Sequence, residues 1–288
     1  LFPLRPQRPL RLCGCLWQQL LVMPRFVLDL ELSGAAFAGT QWQNDQRTVQ
    51  GELERVAAVL DGEKRYVRPA SRLDAGVDAE HITADLELSR DWDPAILCQA
   101  FTDQLPPDLA VRRAAKVPDD FNAISTAVSK TYRYVVTVRP VRPVLRCRCQ
   151  WLRLLSHPEL LQPCADLLIG SKDLSAFANL RHDDSDARDP VRTITSATWT
   201  SEQQGDELHL TFRVSGDGFL YRQVRGFVGA MLGVATGKHD LAAFAQAVAS
   251  GRGADRLGNV APPDGLTLEQ VCYDPEPAWI NAARPKPA

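Results

Sequence analysis

Arg25-Phe26-Val27-Leu28-Asp29-Leu30-Glu31-Leu32 alternates leucine with acid along its second half. That period of two is the pattern of a strand with one face buried. A loop carrying Gly34 and Gly39 follows. Then Val49, Leu53, Val56, Ala57 and Leu60 share one face of a helix that ends near Gly62. A short strand is expected around Arg65–Arg68, and Ile82, Ala84, Leu86 and Leu88 alternate again. Asp93-Pro94 supplies an N-cap with Pro at the first helical position. Ile96, Leu97, Ala100 and Phe101 continue that helix, and Leu109–Val117 closes the unit as a strand. The order β-α-β-β-α-β is the split βαβ, or ferredoxin-like, unit.

The pattern recurs downstream. Tyr132–Val138 and Trp151–Leu155 read as strands, and Leu160–Leu168 as a helix closed by Gly170. Thr193–Thr200 pairs with Leu208–Val214, Phe219–Ala235 and Leu241–Ala249 are helices, and Leu266–Tyr273 is a last strand. The fold class is therefore α+β: two ferredoxin-like (RRM-like) halves, residues 23–123 and 124–274, sharing a mostly antiparallel sheet. Helices are expected on one face, with a central cleft between the halves. Residues 1–22 lack acids, contain Arg5, Arg8 and Arg11, and match neither a signal peptide nor a transit peptide. They read as a non-native or untranslated extension ahead of Met23. Residues 275–288, with four prolines, are expected to be disordered.

Hydrophobic residues make up 45% and charged residues 24% of the 288, an ordinary soluble globular balance that excludes a disordered or collagen-like chain. No run approaches the roughly 18 apolar residues of a membrane span. The seven cysteines show C-x-C spacing without a histidine cluster, which reads as reduced thiols in a cytoplasmic protein rather than a zinc site. Net charge is −2, and −5 from Met23 onward, which argues against a nucleic-acid ligand. The distribution reverses that inference. Phe121 to Pro158 holds no acid but has Lys130, Arg133, Arg139, Arg142, Arg146, Arg148 and Arg153, a local +7.

Common catalytic signatures are missing: there is no G-x-S-x-G, H-E-x-x-H or Walker A loop. Gly216-Asp217-Gly218 begins like a dinucleotide fingerprint, but Tyr221 stands where its third glycine belongs. The run His182-Asp183-Asp184-Ser185-Asp186 fails as a calcium loop, with Arg188 at a ligand position, and reads as a solvated acidic loop. There remains Ser71-Arg72-Leu73-Asp74-Ala75-Gly76-Val77-Asp78-Ala79, a tight turn presenting Asp74 outward. Taken alone, these residues describe an ordinary Asx-turn.

That segment resembles the G-R-T-D-A-G-V-H-A signature of tRNA pseudouridine synthases of the TruA family, with Asp74 in the place of the catalytic aspartate. Six further segments resemble the family in order: Val117–Ala123, Lys130–Tyr134, Asp173–Phe177, Asp189–Ile194, Phe219–Arg225 and Ala261–Leu268. The resemblance implies the pseudouridine synthase fold and an isomerase that converts uridine to pseudouridine in the tRNA anticodon stem-loop, at positions 38–40. It implies base flipping, no cofactor and no metal, and a homodimer whose two subunits contact one RNA. Asp74 would attack the sugar or remove a ribose proton. Tyr132 would stack on the flipped base and help proton transfer, and Arg225 would pair with Asp74. Arg72, Lys130, Arg133 and Arg222 would bind substrate. Departures are Ser71 for Gly, Leu73 for Thr and Asp78 for His. Leu32-Ser33-Gly34 and Gly39-Thr40-Gln41 lack the family's Tyr, Asp and Trp. Asp78 is expected to weaken attraction to phosphates. An alternative to the enzyme is a weak or inactive RNA-binding paralogue that helps tRNA fold.

Overall fold

The computed structural model describes residues 23–144, 148–179, 189–251 and 257–282. Its strands are β1 (Arg25–Leu32), β2 (Val67–Pro69), β3 (Asp78–Glu87), β4 (Leu109–Val117), β5 (Ala127–Val138), β6 (Gln150–Leu152), β7 (Gly170–Asp173), β8 (Val191–Gln204), β9 (Glu207–Gly216), β10 (Leu266–Tyr273) and β11 (Ile280–Asn281). The helices are α1 (Val49–Asp61), α2 (Pro94–Thr102), α3 (Leu161–Asp166), α4 (Gln223–Ala235) and α5 (Leu241–Ser250). Local chemistry sets their ends. The Thr48 side chain accepts from the Gly51 N–H at the start of α1, and Gly62 closes it in the left-handed region. Asp93 accepts from the Ala95 and Ile96 N–H groups ahead of Pro94, and Asp240 caps α5 through the Ala243 N–H.

One mostly antiparallel sheet runs β11-β4-β1-β3-β10-β5-β9-β8-β7, with β2 beside β3 and β6 beside β5. The two halves join at β10. It pairs antiparallel with β5 and parallel with β3, through Thr267–Asp78 and Leu268–Ala79. Alternate residues of the strands point to one face, where Phe26, Leu28 and Leu30 meet Leu53, Val56 and Phe101 of α1 and α2. The same core continues through Tyr134, Phe212 and Val214 to Phe227, Met231 and Phe244 of α4 and α5. The expected α+β class and shared sheet are observed.

Several local expectations change. The chain beyond Asp274 is not disordered up to Ala282. Ile280 and Asn281 extend the sheet as β11, and Trp279 packs with Val27, Ala115 and Val117 on the face away from the helices. The Arg113 guanidinium lies 4.5 Å over the Trp279 ring. The aromatic side chain among the prolines thus finds an apolar strip to cover, while Ile280 stays exposed. Gly170 does not close a helix: it opens β7 with φ +106°, after α3 has ended at Asp166. Helix α4 begins at Gln223 rather than Phe219, because Arg222 adopts φ +59° and breaks the helical run. The 1–22 extension, the 182–186 acidic run and residues 283–288 lie outside the described residues.

Candidate active site

The topology brings the two halves of the site together. Only β10 separates β3 from β5, so the loop entering β3 and the side chains of β5 lie about 10 Å apart across two strand spacings. Asp74 is in that loop, four residues before β3, and Tyr132 is in the middle of β5 opposite Leu268. Helix α4 carries Arg225 on its first turn, within reach of Asp74. Between them is a cavity of about 200 Å³, whose lining includes Asp74, Lys130, Tyr132, Phe219, Arg222 and Arg225.

The Asp74 turn is built by its glycine. The Val77 N–H donates to the Asp74 carbonyl at 3.2 Å, with Gly76 at φ +83°. Close approach of a second loop sets the turn's position. A Cβ at Gly34 would stand 2.0 Å from the Val77 carbonyl oxygen, so the 33–37 segment packs backbone against backbone.

Arg225 donates from Nη1 to Asp74 Oδ2, and its Nε donates to the Ala261 carbonyl at 2.7 Å. The Ala261 N–H donates back to the Arg225 carbonyl at 3.0 Å, which closes a reciprocal pair. The 259–261 segment can approach α4 this closely because position 229 is glycine: a Cβ there would lie 1.7 Å from the Asn259 carbonyl oxygen. Arg225 is thus a buried guanidinium, 10% exposed, fixed on two sides before it meets Asp74. Arg222 adds a second cation, its Nε 3.5 Å from Asp74 Oδ2 and its guanidinium 4.9 Å over the Tyr221 ring. Its left-handed backbone is a local strain of about 1–3 kcal/mol, held where it aims the side chain at the carboxylate.

Tyr132 lies buried, meeting the edge of Phe219 with ring centroids 5.2 Å apart and planes at 88°. Burial pushes its phenol up to about 12, and the Asp74 carboxylate adds to the shift. Lys130, two residues earlier and on the same face of β5, donates to the Ala70 carbonyl at 2.7 Å. Burial lowers its ammonium to about 8. Arg72 is exposed at the rim of the same cavity. The charged lining is therefore Arg72, Lys130, Arg222 and Arg225 against one carboxylate, Asp74, an arrangement that draws in an anionic ligand. Among the described residues no three His, Cys, Asp or Glu side chains converge on a point.

Arg133 is not brought to the cavity. Neighbours along a strand face opposite ways, and Arg133 pairs with Glu80 at 2.7 Å and Glu269 at 2.9 Å on the far side of the sheet. Asp78 does not present a bare charge toward phosphates either. It is ion-paired with Arg148 and accepts from the Gly34 N–H at 2.7 Å. Arg139 pairs with Glu207, and Arg146 lies outside the described residues. Three of the seven cations of the 121–158 stretch, Arg133, Arg139 and Arg148, are thus matched by acids distant in sequence. Of that stretch, Lys130 lines the cavity. Phe219, Leu220 and Leu266 form apolar walls of the cavity; they lie within the family-like Phe219–Arg225 and Ala261–Leu268 segments, but no chemical feature of the sequence separates them from core positions.

Comparison with known proteins agrees with this architecture. The family described as tRNA pseudouridine synthase matches residues 164–274, the part that holds Arg225 and β10. A tRNA pseudouridine synthase A of Methylocella silvestris is 35% identical over 254 residues, covering 88% of this chain and 99% of the relative. One from Methylobacterium sp. (strain 4-46) is 38% identical over 259 residues, with coverage of 88% and 99%. One from Dinoroseobacter shibae is 34% identical over 258 residues, with coverage of 88% and 98%. The molecule is an enzyme of the isomerase class, with the α+β fold of the pseudouridine synthases. The chain belongs to the tRNA pseudouridine synthase A (TruA) family.

Proposed function

We propose that this chain converts uridine to pseudouridine in the anticodon stem-loop of tRNA, at positions 38–40, with Asp74 as the essential carboxylate. The observation that carries the reading is the Asp74–Arg225 ion pair, with Tyr132 in the same cation-rimmed cavity. A uridine stacked in a stem is out of reach of Asp74, so the nucleotide flips out and its base enters the cavity. Phe219 and Tyr132 offer aromatic surface to that base, and Arg72, Lys130 and Arg222 meet the flanking phosphates. The bond from ribose C1′ to N1 breaks and one to C5 forms. C5 loses a proton and N1 gains one, so atoms balance without an oxidant. Asp74 acts on the ribose as nucleophile or base, and the Tyr132 phenol relays the C5 proton.

The same reading makes the working form a cytoplasmic homodimer with one RNA contacting both subunits. Among the described residues no helix is long and apolar enough to cross a membrane. The test is incubation of purified protein with unmodified tRNA, followed by chemical labelling of pseudouridine, with Asp74→Asn in parallel. The parent is expected to modify positions 38–40, and the variant to bind tRNA but form no product. A parent inactive on every tRNA would overturn the reading in favour of an RNA-binding paralogue. Product from the variant would remove Asp74 from its role.

A further inference from the structure

One buried side chain outside the cavity holds the backbone on which Asp74 sits. Thr40, 1% exposed, donates from Oγ1 to the Ser71 carbonyl at 3.0 Å and accepts from the Leu73 N–H at 2.9 Å. Its own N–H donates to the Leu73 carbonyl at 3.2 Å. The Leu73 N–H belongs to the peptide plane that enters Leu73, and the Leu73 carbonyl to the plane that enters Asp74. Thr40 therefore holds the plane that enters Leu73 through its hydroxyl and the plane that enters Asp74 through its own N–H, so the stretch of backbone leading into Asp74 is fixed from one residue. Thr40 is itself fixed to a rigid element: the Gln50 N–H donates to its carbonyl at 2.9 Å, and the Val49 N–H to the Gly39 carbonyl at 3.2 Å, at the first turn of α1. The hydroxyl is placed to work through the loop, since it does not line the cavity.

We propose that Thr40 is a positioning residue for the Asp74 carboxylate, its hydroxyl setting the direction of the carboxylate without touching substrate. The proposal rests on the reading of Asp74 as the essential group. Displacing a reacting group by about 1 Å costs on the order of 100-fold in rate, so loss of the hydroxyl should appear in the chemical step and not in tRNA affinity.

The experiment is single-turnover pseudouridine formation and tRNA binding for Thr40→Val, Thr40→Cys, Thr40→Ser and Asp74→Asn, each with a thermal melt. Valine keeps the shape and removes both bonds, cysteine offers a weak donor and acceptor, and serine keeps the hydroxyl. The expected rates fall in the order parent, Ser, Cys, Val, with Ser within about threefold of the parent and Val about 10- to 100-fold down. Their tRNA dissociation constants should agree within about twofold. A Val variant that is folded and reacts at the parent rate overturns the proposal, as does a loss of tRNA affinity equal to the loss of rate. If Val does not fold, equal rates for folded Ser and Cys variants overturn it. An active Asp74→Asn refutes the underlying reading instead, whatever the Thr40 variants do.

Discussion

Replacing Arg225 with methionine keeps much of the side chain's apolar stem and removes the charge. Asp74 Oδ2 then retains Arg222 Nε at 3.5 Å, and the Ala261 carbonyl loses its 2.7 Å donor. A charge-assisted hydrogen bond is worth about 1.5–3 kcal/mol, and a buried carbonyl left without a donor costs about 1–3 kcal/mol. Removing one member of a buried ion pair costs about 3–5 kcal/mol in all. The lower end applies here, because Asp74 is 15% exposed and the Arg222 side chain 37% exposed, so water and a second cation take up part of the loss. If about 3 kcal/mol of orientation is lost from the transition state, the rate falls between 100- and 1,000-fold, at 1.36 kcal/mol per decade. Arg225→Lys keeps the charge, but one ammonium cannot reproduce the planar fork that serves Asp74 and Ala261 together, so an intermediate rate is expected. Single-turnover labelling with saturating enzyme reads the chemical step, and binding measured alongside should stay within a few-fold of the parent. A folded Arg225→Met protein within threefold of the parent rate would refute the reasoning, since the ion pair would then contribute nothing to the reaction.

Tyr132→Phe should bind tRNA normally and lose roughly 100-fold or more in rate, the usual scale of a lost proton relay; full activity by the same assay would reduce Tyr132 to a stacking surface. Lys130 links activity to alkaline pH. Burial depresses its pKa in the folded protein from an ordinary 10.5 to about 8, so between those values the unfolded chain holds the extra proton, stability rises with pH, and the cavity loses a cation. The expected outcome is a fall in kcat/KM as pH rises through about 8, absent in Lys130→Arg, which stays charged; identical pH profiles would exclude Lys130 as the cause. Gly229→Ala places a methyl group 1.7 Å from the Asn259 carbonyl oxygen and should cost about 1–3 kcal/mol in a thermal melt, with a rate loss because the Ala261 contact to Arg225 moves with that segment.

What the sequence displays and what it hides separate along physical lines. Helix α2 was legible because Asp93-Pro94 is a local capping device. Strand β1 was legible because its alternation is local too. Strand β7, Gly-Ser-Lys-Asp, has no apolar alternation and is held only by pairing with β8, so nothing local announces it. Period-two alternation already separates Arg133 from Tyr132, and the far-side position of Arg133 follows from it. Thr40 and Leu73 each differ from the family signature, but only the fold shows that the two are hydrogen-bonded to each other. The Asp78–Arg148 pair is hidden in the same way, by 70 residues of intervening chain.

The same distinction resolves the charge problem. Counting along the chain placed the attraction for RNA in the 121–158 stretch, but ion pairs in space remove Arg133, Arg139 and Arg148 from that sum. The cavity draws its cations from three separate places: Arg72 before β3, Lys130 on β5, and Arg222 and Arg225 at the head of α4. They converge because β10 closes the sheet between the halves and the head of α4 reaches the Asp74 loop. Surplus acids elsewhere do not cancel a field of this kind, since charges more than a Debye length of about 8–10 Å away are screened while those lining a partly enclosed cavity are not. A net charge of −5 from Met23 onward is therefore compatible with an anion-seeking site, and the acidic remainder works against nonspecific RNA binding away from the cavity.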